Sequence, residues 1–384
     1  MIHKIEIENF KSAQNLSFEL KRFNVLIGEN GSGKSNILEA IAFASCALTG
    51  RLNPSNDRDG FEEDVKKSDL ELKGVRINEP QYYRSGFDKK NLNEQMNINL
   101  FADDDYKVQF EINNTNKPFA KWESFIPIAV EGRTGFTVEE FASKETNLRK
   151  ALNISRAKIN SLNLKNYIIY SPENFFIRNY NLNESSYLEP IGFRGEGLLK
   201  LLKIIAVEKK EQFDKIVENL QLFDWFESIE LSNNTLLNET EFFLKDRYLD
   251  EGLKSFSMSN SNEGFYFVLF YLTLFISDYT PKFFAIDNID TSLNPKLCTK
   301  LISVLFELAL KYDKQVIFTT HSPAILDGLD LNNSEQRLYA ISRNKLGNTK
   351  ATRIQKKQPL EGIESLRLSE QYLRGSIGAL PKNF

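Results

Sequence analysis

The sequence predicts an α/β fold with three parts: a mixed, largely parallel sheet bearing a glycine-rich loop, an antiparallel subdomain, and a helical lobe. Three observations carry this prediction. Phe23–Ile27 (FNVLI) is a nearly continuous apolar run of the kind buried in a parallel sheet, and glycines and then a helix-period pattern follow it at once. Two more apolar runs, Phe283–Ile286 and residues 315–319, flank a helix-period stretch at 295–310, which gives strand, helix, strand. Between these blocks the chain changes character, first to short strand-like pieces among Asn and Asp, then to long amphipathic stretches.

Taken in order, residues 2–10 alternate, with Ile5 and Ile7 against Lys4, Glu6 and Glu8, and predict a strand; residues 16–20 predict a second. After Phe23–Ile27, the spacing of Ile37, Leu38, Ile41, Ala42, Ala44 and Leu48 predicts a helix over 36–48. Residues 50–165 read as an insertion of antiparallel strands with long loops, since 53–60 (NPSNDRDG) is loop chemistry. Within it, 144–165 holds six basic residues and one acid, a helical face that is either solvated surface or a local patch for nucleic acid. Residues 167–171 (YIIYS) return to strand, and 196–230 reads as helical throughout, with Leu198, Leu202, Ile205, Phe213, Ile216 and Leu220 in period. An Asn- and Ser-rich stretch precedes the longest apolar run, 265–276, a buried helix or strand pair that falls short of the roughly 20 residues a membrane span requires.

Composition bounds the partners. A length of 384 residues suits two to three structural units at about 150 residues each. Lys and Arg number 49 against 52 Asp and Glu, a net charge of −3, which excludes binding nucleic acid by bulk positive charge but leaves a local patch open. Cys46 and Cys298 are the only cysteines and lie far apart, and with only two histidines no ordinary zinc site can be assembled. The opening MIHKIEIENFK lacks the apolar stretch of a signal peptide, so a cytoplasmic protein with no membrane contact is expected.

The sharpest motif is Gly28-Glu29-Asn30-Gly31-Ser32-Gly33-Lys34-Ser35, a complete G-x-x-x-x-G-K-S between a predicted strand and a predicted helix. Glycines let the backbone curl so that successive N–H groups face phosphate oxygens, and the helix N-terminus adds its positive end. Asn30, Gly31, Ser32 and Gly33 are expected to form this cradle for ATP, Lys34 to reach the β- and γ-phosphates, and Ser35 to ligate Mg²⁺. Phe283–Ile286 ends in Asp287, the expected carboxylate partner of that metal. The next residue is Asn288, whose amide can hold a water but cannot take its proton. Asp290 is the nearest carboxylate in the same loop, so hydrolysis is either slow or uses a different base. Residues 319–323 (TTHSP) put His321 at a strand end, where it either senses the γ-phosphate as a neutral donor or caps the next helix.

The NFK closing the first strand, GENGSGKSN, FAIDNIDTSLNP and TTHSP, in this order, resemble the ABC-type P-loop ATPases of the RecF/SMC group. Most similar are the AAA-labelled ATPases of the overcoming-lysogenization-defect (OLD) nucleases and of anti-phage systems such as Septu and PARIS, over about residues 1–50 and 165–335. The resemblance implies an ABC-type ATPase head and a signature segment at 259–265, where Ser261, Asn262 and Gly264 would cap the γ-phosphate held by a second chain. It also implies that 291–295 matches the D-loop of the same dimer interface, and that Lys11, with Ser12 beside it, lies near the nucleotide. The expected division is an ATPase core lobe at 1–50 and 255–345, a variable insertion at 51–165, a helical lobe at 166–254 and a tail at 346–384. OLD nucleases carry a C-terminal Toprim nuclease, for which the stretch after Pro323 is too short, so any cutting is expected from a separate effector protein. Three readings stand: a head-to-tail homodimeric ATP switch controlling that effector in anti-phage defence, a RecF-like DNA-repair ATPase, and a nucleotide-gated scaffold with negligible turnover.

Overall fold

The computed structural model describes residues 1–48, 61–64, 67–76, 95–112, 119–130, 133–137, 157–158, 160–178, 190–234, 239–250, 255–355 and 366–377. In chain order its strands are β1 (Ile2–Phe10), β2 (Ala13–Glu19), β3 (Phe23–Ile27), β4 (Phe61–Asp64), β5 (Met96–Ala102), β6 (Tyr106–Ile112), β7 (Phe119–Val130) and β8 (Arg133–Thr137). They continue as β9 (Ile169–Tyr170), β10 (Phe226–Asn234), β11 (Glu239–Asp246), β12 (Ser255–Ser257), β13 (Phe283–Ile286), β14 (Gln315–Thr320), β15 (Gln336–Arg343) and β16 (Thr349–Ile354). The helices are α1 (Lys34–Ala47), α2 (Lys67–Leu72), α3 (Asn174–Arg178), α4 (Leu198–Glu208), α5 (Lys210–Asn219), α6 (Glu263–Ile276), α7 (Pro295–Lys311), α8 (Pro323–Leu326) and α9 (Leu368–Leu373).

A six-stranded sheet in the order β16-β15-β3-β14-β13-β9 forms the centre. Its strands pair in parallel from β15 to β9, and only β16 runs antiparallel, so every residue of β3, β13 and β14 is buried, as expected for strands covered on both faces. The period of two sorts β3 between two cores: Phe23, Val25 and Ile27 face one with α6 and α7, while Leu26 faces the other with α1. The run 265–276 is a single helix: the Asn262 side chain accepts from Phe265 N at 2.8 Å and supplies the N-cap, after which α6 is buried on all sides.

Four expectations need correction. Residues 196–230 are not one helix: α4 ends at Glu208 and α5 at Asn219, and Phe226 already begins β10, whose apolar Phe226 and Ile229 pack inward as a strand. The stretch before α6 is a three-stranded antiparallel sheet, β10-β11-β12, so the lobe expected to be helical is mixed. The insertion is not separate from the N-terminal strands: β5 pairs directly with β1 (Ile5↔Leu100, Ile7↔Ile98), and β2-β1-β5-β6-β7-β4, with β8 on β7, form one antiparallel sheet. Residues 346–354, assigned to a tail, complete the β15–β16 hairpin of the central sheet, because the Asn344 carboxamide accepts from Leu346 N and Asn348 N and closes its turn. Most of the basic stretch 144–165 lies outside the described residues; within them Lys158 pairs with Asp104 at 2.5 Å.

Candidate functional site

The glycine-rich loop leaves β3 and enters α1 at the carboxyl edge of the central sheet, where ligands of open α/β sheets bind. Two of its glycines are dictated sterically. A Cβ on Gly28 would lie 2.2 Å from the Ile341 carbonyl of β15, and Gly33, at φ +104°, would drive one to 2.0 Å from Thr349 Oγ1. Asn30 and Gly31 are exposed at the tip, whereas Ser32, Gly33 and Lys34 are buried. The Ser32 hydroxyl has no partner among the described residues. Lys34 donates to the carbonyls of Gly28 (2.8 Å) and Glu29 (3.0 Å). Burial pushes its pKa down to about 8, against the pull of Asp287, Asp290 and Glu29.

Asp287 is the electrostatic centre. It is 3% exposed at the end of β13, and its carboxylate accepts from Ser35 Oγ at 3.2 and 3.3 Å and from the Thr319 hydroxyl of β14. Hydroxyl plus carboxylate is an oxygen donor pair suited to a hard divalent cation, which takes its remaining ligands from phosphate and water. The carboxylate already draws a positive group: Arg76 Nη2 lies 2.8 Å from Asp287 Oδ2 and 3.2 Å from Ser171 Oγ.

Asn288 and Asp290 differ in their freedom. Asn288 adopts φ +58°, a region Asn and Asp tolerate best, with its N–H on Thr319 Oγ1 at 2.8 Å. It lines a cavity of about 940 Å³ beside Asp287, shared with Arg76, Glu173, Arg194 and Thr291. Asp290 accepts from Thr320 Oγ1 at 2.5 Å, so part of its accepting capacity is already engaged. His321 is held below the usual histidine range, first by burial and then by the Lys34 ammonium, while Asp290, Asp287 and a hydrogen bond with the Gly28 backbone act in the opposite sense. It is therefore neutral at pH 7.

The structure thus brings Lys34, Ser35, Asp287, Asn288, Asp290 and His321 together. Lys11 does not join them with a free charge: at φ +49° its ammonium is committed to Glu39 of α1, in a pair 9% and 6% exposed, and its neighbour Ser12 is the residue that reaches the loop. Ser261, Asn262 and Gly264 form a second locus. Asn262 spends its carbonyl on capping α6, the Ser261 hydroxyl is buried without a partner among the described residues, and a Cβ on Gly264 would lie 3.1 Å from the Ser292 carbonyl. The two segments expected at a dimer interface are therefore packed together within one chain. Arg178 of α3 ties this locus down, donating to the carbonyls of Ser259 and Ser261 with its guanidinium 4.8 Å from the Tyr266 ring centre.

Arg76, Thr319, Thr320, Arg178 and Thr349 are the site residues that the sequence did not disclose. Only Thr319 and Thr320, polar residues closing an apolar strand beside His321, carried a usable signal.

Comparison with known proteins agrees with this geometry. Residues 23–327 match the family described as "AAA domain, putative AbiEii toxin, Type IV TA system". The DNA replication and repair protein RecF of Clostridium botulinum is 24% identical over 224 residues, 56% of this chain and 55% of that protein. The chromosome partition protein Smc of Methanocaldococcus jannaschii is 54% identical over 43 residues, 11% of this chain and 4% of that protein. The chain thus spans about half the length of RecF and a small fraction of Smc. A crystal structure of an Smc head bound to the C-winged helix domain of ScpA superposes with a TM-score of 0.54 and 17% identity, covering 92% of this chain and 98% of that one, and so shares the fold. The chain belongs to this AAA-domain family and has the fold of an ABC-type P-loop ATPase head.

Proposed function

We propose that this chain binds ATP with Mg²⁺ at the loop 28–35 and works as a nucleotide-dependent dimerising switch that controls a separate effector in anti-phage defence. The observation that carries the reading is the Ser35–Asp287 pair, a hydroxyl and a buried carboxylate meeting at 3.2 Å beside Lys34. Lys34 exchanges its two carbonyl partners for phosphate oxygens, and the loop amides with the Ser32 hydroxyl hold the rest of the polyphosphate. Bound between Ser35 and Asp287, Mg²⁺ would neutralise charge on the phosphates. His321, neutral and adjacent, donates to the terminal phosphate.

Turnover is then slow, because Asn288 holds the attacking water without accepting its proton and Asp290 is tied to Thr320. Dimerisation is supported by the second locus: Ser261, Asn262 and Gly264 gather at the N-terminus of a fully buried helix, beside Ser292, and their partner is the nucleotide of a second chain. The family description, which names a toxin of a type IV TA system, and a head structure solved with ScpA bound support a switch read out by another protein. We take the core lobe as 1–50 and 255–345 extended through β16, with the insertion at 51–165 and a mixed lobe at 166–254.

The RecF relatives favour a second reading, a DNA-dependent repair ATPase. Turnover measured with and without duplex DNA separates the two. The switch reading expects slow hydrolysis that DNA leaves unchanged, and a severalfold stimulation by DNA would replace it with the second reading.

A further inference from the structure

Beneath the glycine-rich loop runs a buried chain of polar groups from three distant parts of the sequence. Asn36 Nδ2 donates to Ser12 Oγ at 2.6 Å, Ser12 Oγ lies 2.7 Å from Thr349 Oγ1, and Thr349 Oγ1 donates to the Ser32 carbonyl at 3.1 Å. Thr349 N also donates to Ser12 O at 2.7 Å, so β16 and the β1–β2 turn are locked to each other. Ser12, Ser32 and Thr349 are 2%, 1% and 4% exposed, which leaves water little access to the chain.

Valence fixes its direction. A carbonyl can only accept, so the single Thr349 proton goes to Ser32 O. The Ser12 proton then has Thr349 Oγ1 as its acceptor, and Ser12 in turn accepts from the Asn36 amide. The order is Asn36 to Ser12 to Thr349 to Ser32, with every donor used once.

The end of this chain matters because the Ser32–Gly33 peptide is planar and trans, so its C=O and N–H point in opposite directions. Fixing the carbonyl on β16 turns the Gly33 N–H to the face away from β16. Among the described residues no acceptor takes that N–H. Gly33 also packs so closely on Thr349 and Ser12 that a Cβ would meet their hydroxyls at 2.0 and 2.8 Å, which leaves this peptide little room to rotate.

We propose that Thr349, held by Ser12 and acting through the Ser32 carbonyl, is a positioning residue that pre-orients the Gly33 amide for a nucleotide phosphate. The proposal rests on the nucleotide reading of the loop and extends it to a strand beyond the region matched by the family, 23–327. An anion then meets an amide already aimed at it, and a loop without the buttress must order itself on binding.

The test is calorimetric titration of Mg·ATP and of inorganic tripolyphosphate into the full chain, at a temperature where thermal melting shows each variant folded. Thr349→Val keeps the shape and removes the hydroxyl. It should weaken both ligands by the same factor, about three- to tenfold for one lost hydrogen bond. Thr349→Ser should restore wild-type affinity. Ser12→Ala combined with Thr349→Val should be no weaker than Thr349→Val alone, because both interrupt one chain. Wild-type affinity in Thr349→Val, or equal weakness in Thr349→Ser, overturns the proposal. If Thr349→Val does not fold, Thr349→Ala takes its place against Thr349→Ser, and the same criteria apply. Lys34→Ala, run alongside, isolates the underlying reading: unchanged ATP affinity there means the loop holds no phosphate, whatever Thr349 does.

Discussion

Raising the pH should loosen nucleotide before it unfolds the protein, because Lys34 is the one charged donor of the loop and burial has brought its pKa down to about 8. If only the ammonium form engages the phosphates, the apparent Kd scales with the reciprocal of the protonated fraction. That fraction is about nine-tenths at pH 7 and about one-tenth at pH 9 for a group of this pKa, so Kd should rise about tenfold across the interval. The rise ends where the charge-assisted contact is fully lost, at a ceiling of roughly 1.5–3 kcal/mol, or about ten- to a hundredfold. The sign follows from the direction of the shift: a depressed lysine is charged below its folded pKa and loses its proton above it, so binding is strong at pH 7 and fades through 8 to 9. Fluorescent-nucleotide titration at constant ionic strength reads this directly. Lys34→Arg, whose guanidinium stays charged throughout, should bind with a flat profile even where its absolute affinity is lower. A flat wild-type profile, or the same slope in Lys34→Arg, would refute the assignment of Lys34 to the phosphates.

Two other sets of substitutions probe the chemistry and the second locus. Asn288→Asp installs a carboxylate at φ +58° without backbone cost and should raise ATP turnover, since a general base is typically worth about 10²–10⁴-fold; Asp290→Asn should leave the slow wild-type rate nearly unchanged, and its abolition would make Asp290 the base. Gly264→Val pushes a side chain against Ser292 O, and Arg178→Met frees the Ser259 and Ser261 carbonyls; both should keep monomer ATP affinity within about twofold while weakening nucleotide-dependent association, as read by sedimentation.

How much of this was legible in the sequence depended on whether the relevant contacts are local. The strand–loop–helix at 23–47, Asp287 at the end of FFAI and His321 after an apolar strand follow from spacing within one element and its neighbour, and the structure places all three at one sheet edge. Arg76 reaches Asp287 from 211 positions away and Thr349 reaches Gly33 from 316 (287 − 76 and 349 − 33), with no periodicity to announce them. The β15–β16 hairpin did have a signal, since NKLGN between the β-rich stretches at 336–343 and 349–354 is turn chemistry. The strand at 226–234 was hidden because the helical period of α4 and α5 runs into it without a glycine or proline to mark the change. Lys11 departs from expectation for an electrostatic reason: its attraction to Glu39, four residues past Ser35 on α1, outweighs its proximity to the loop.

At the heart of the proposed switch, nucleotide drives two copies together. The most direct test is the mass of the purified chain in solution with no nucleotide, with Mg·ADP and with Mg·ATP, recorded by analytical ultracentrifugation at concentrations well above the measured Kd. A nucleotide-driven dimer predicts a monomer with no nucleotide or ADP and a doubled mass with ATP, lost in Lys34→Ala. A chain that binds ATP yet keeps one mass in all three conditions would contradict it.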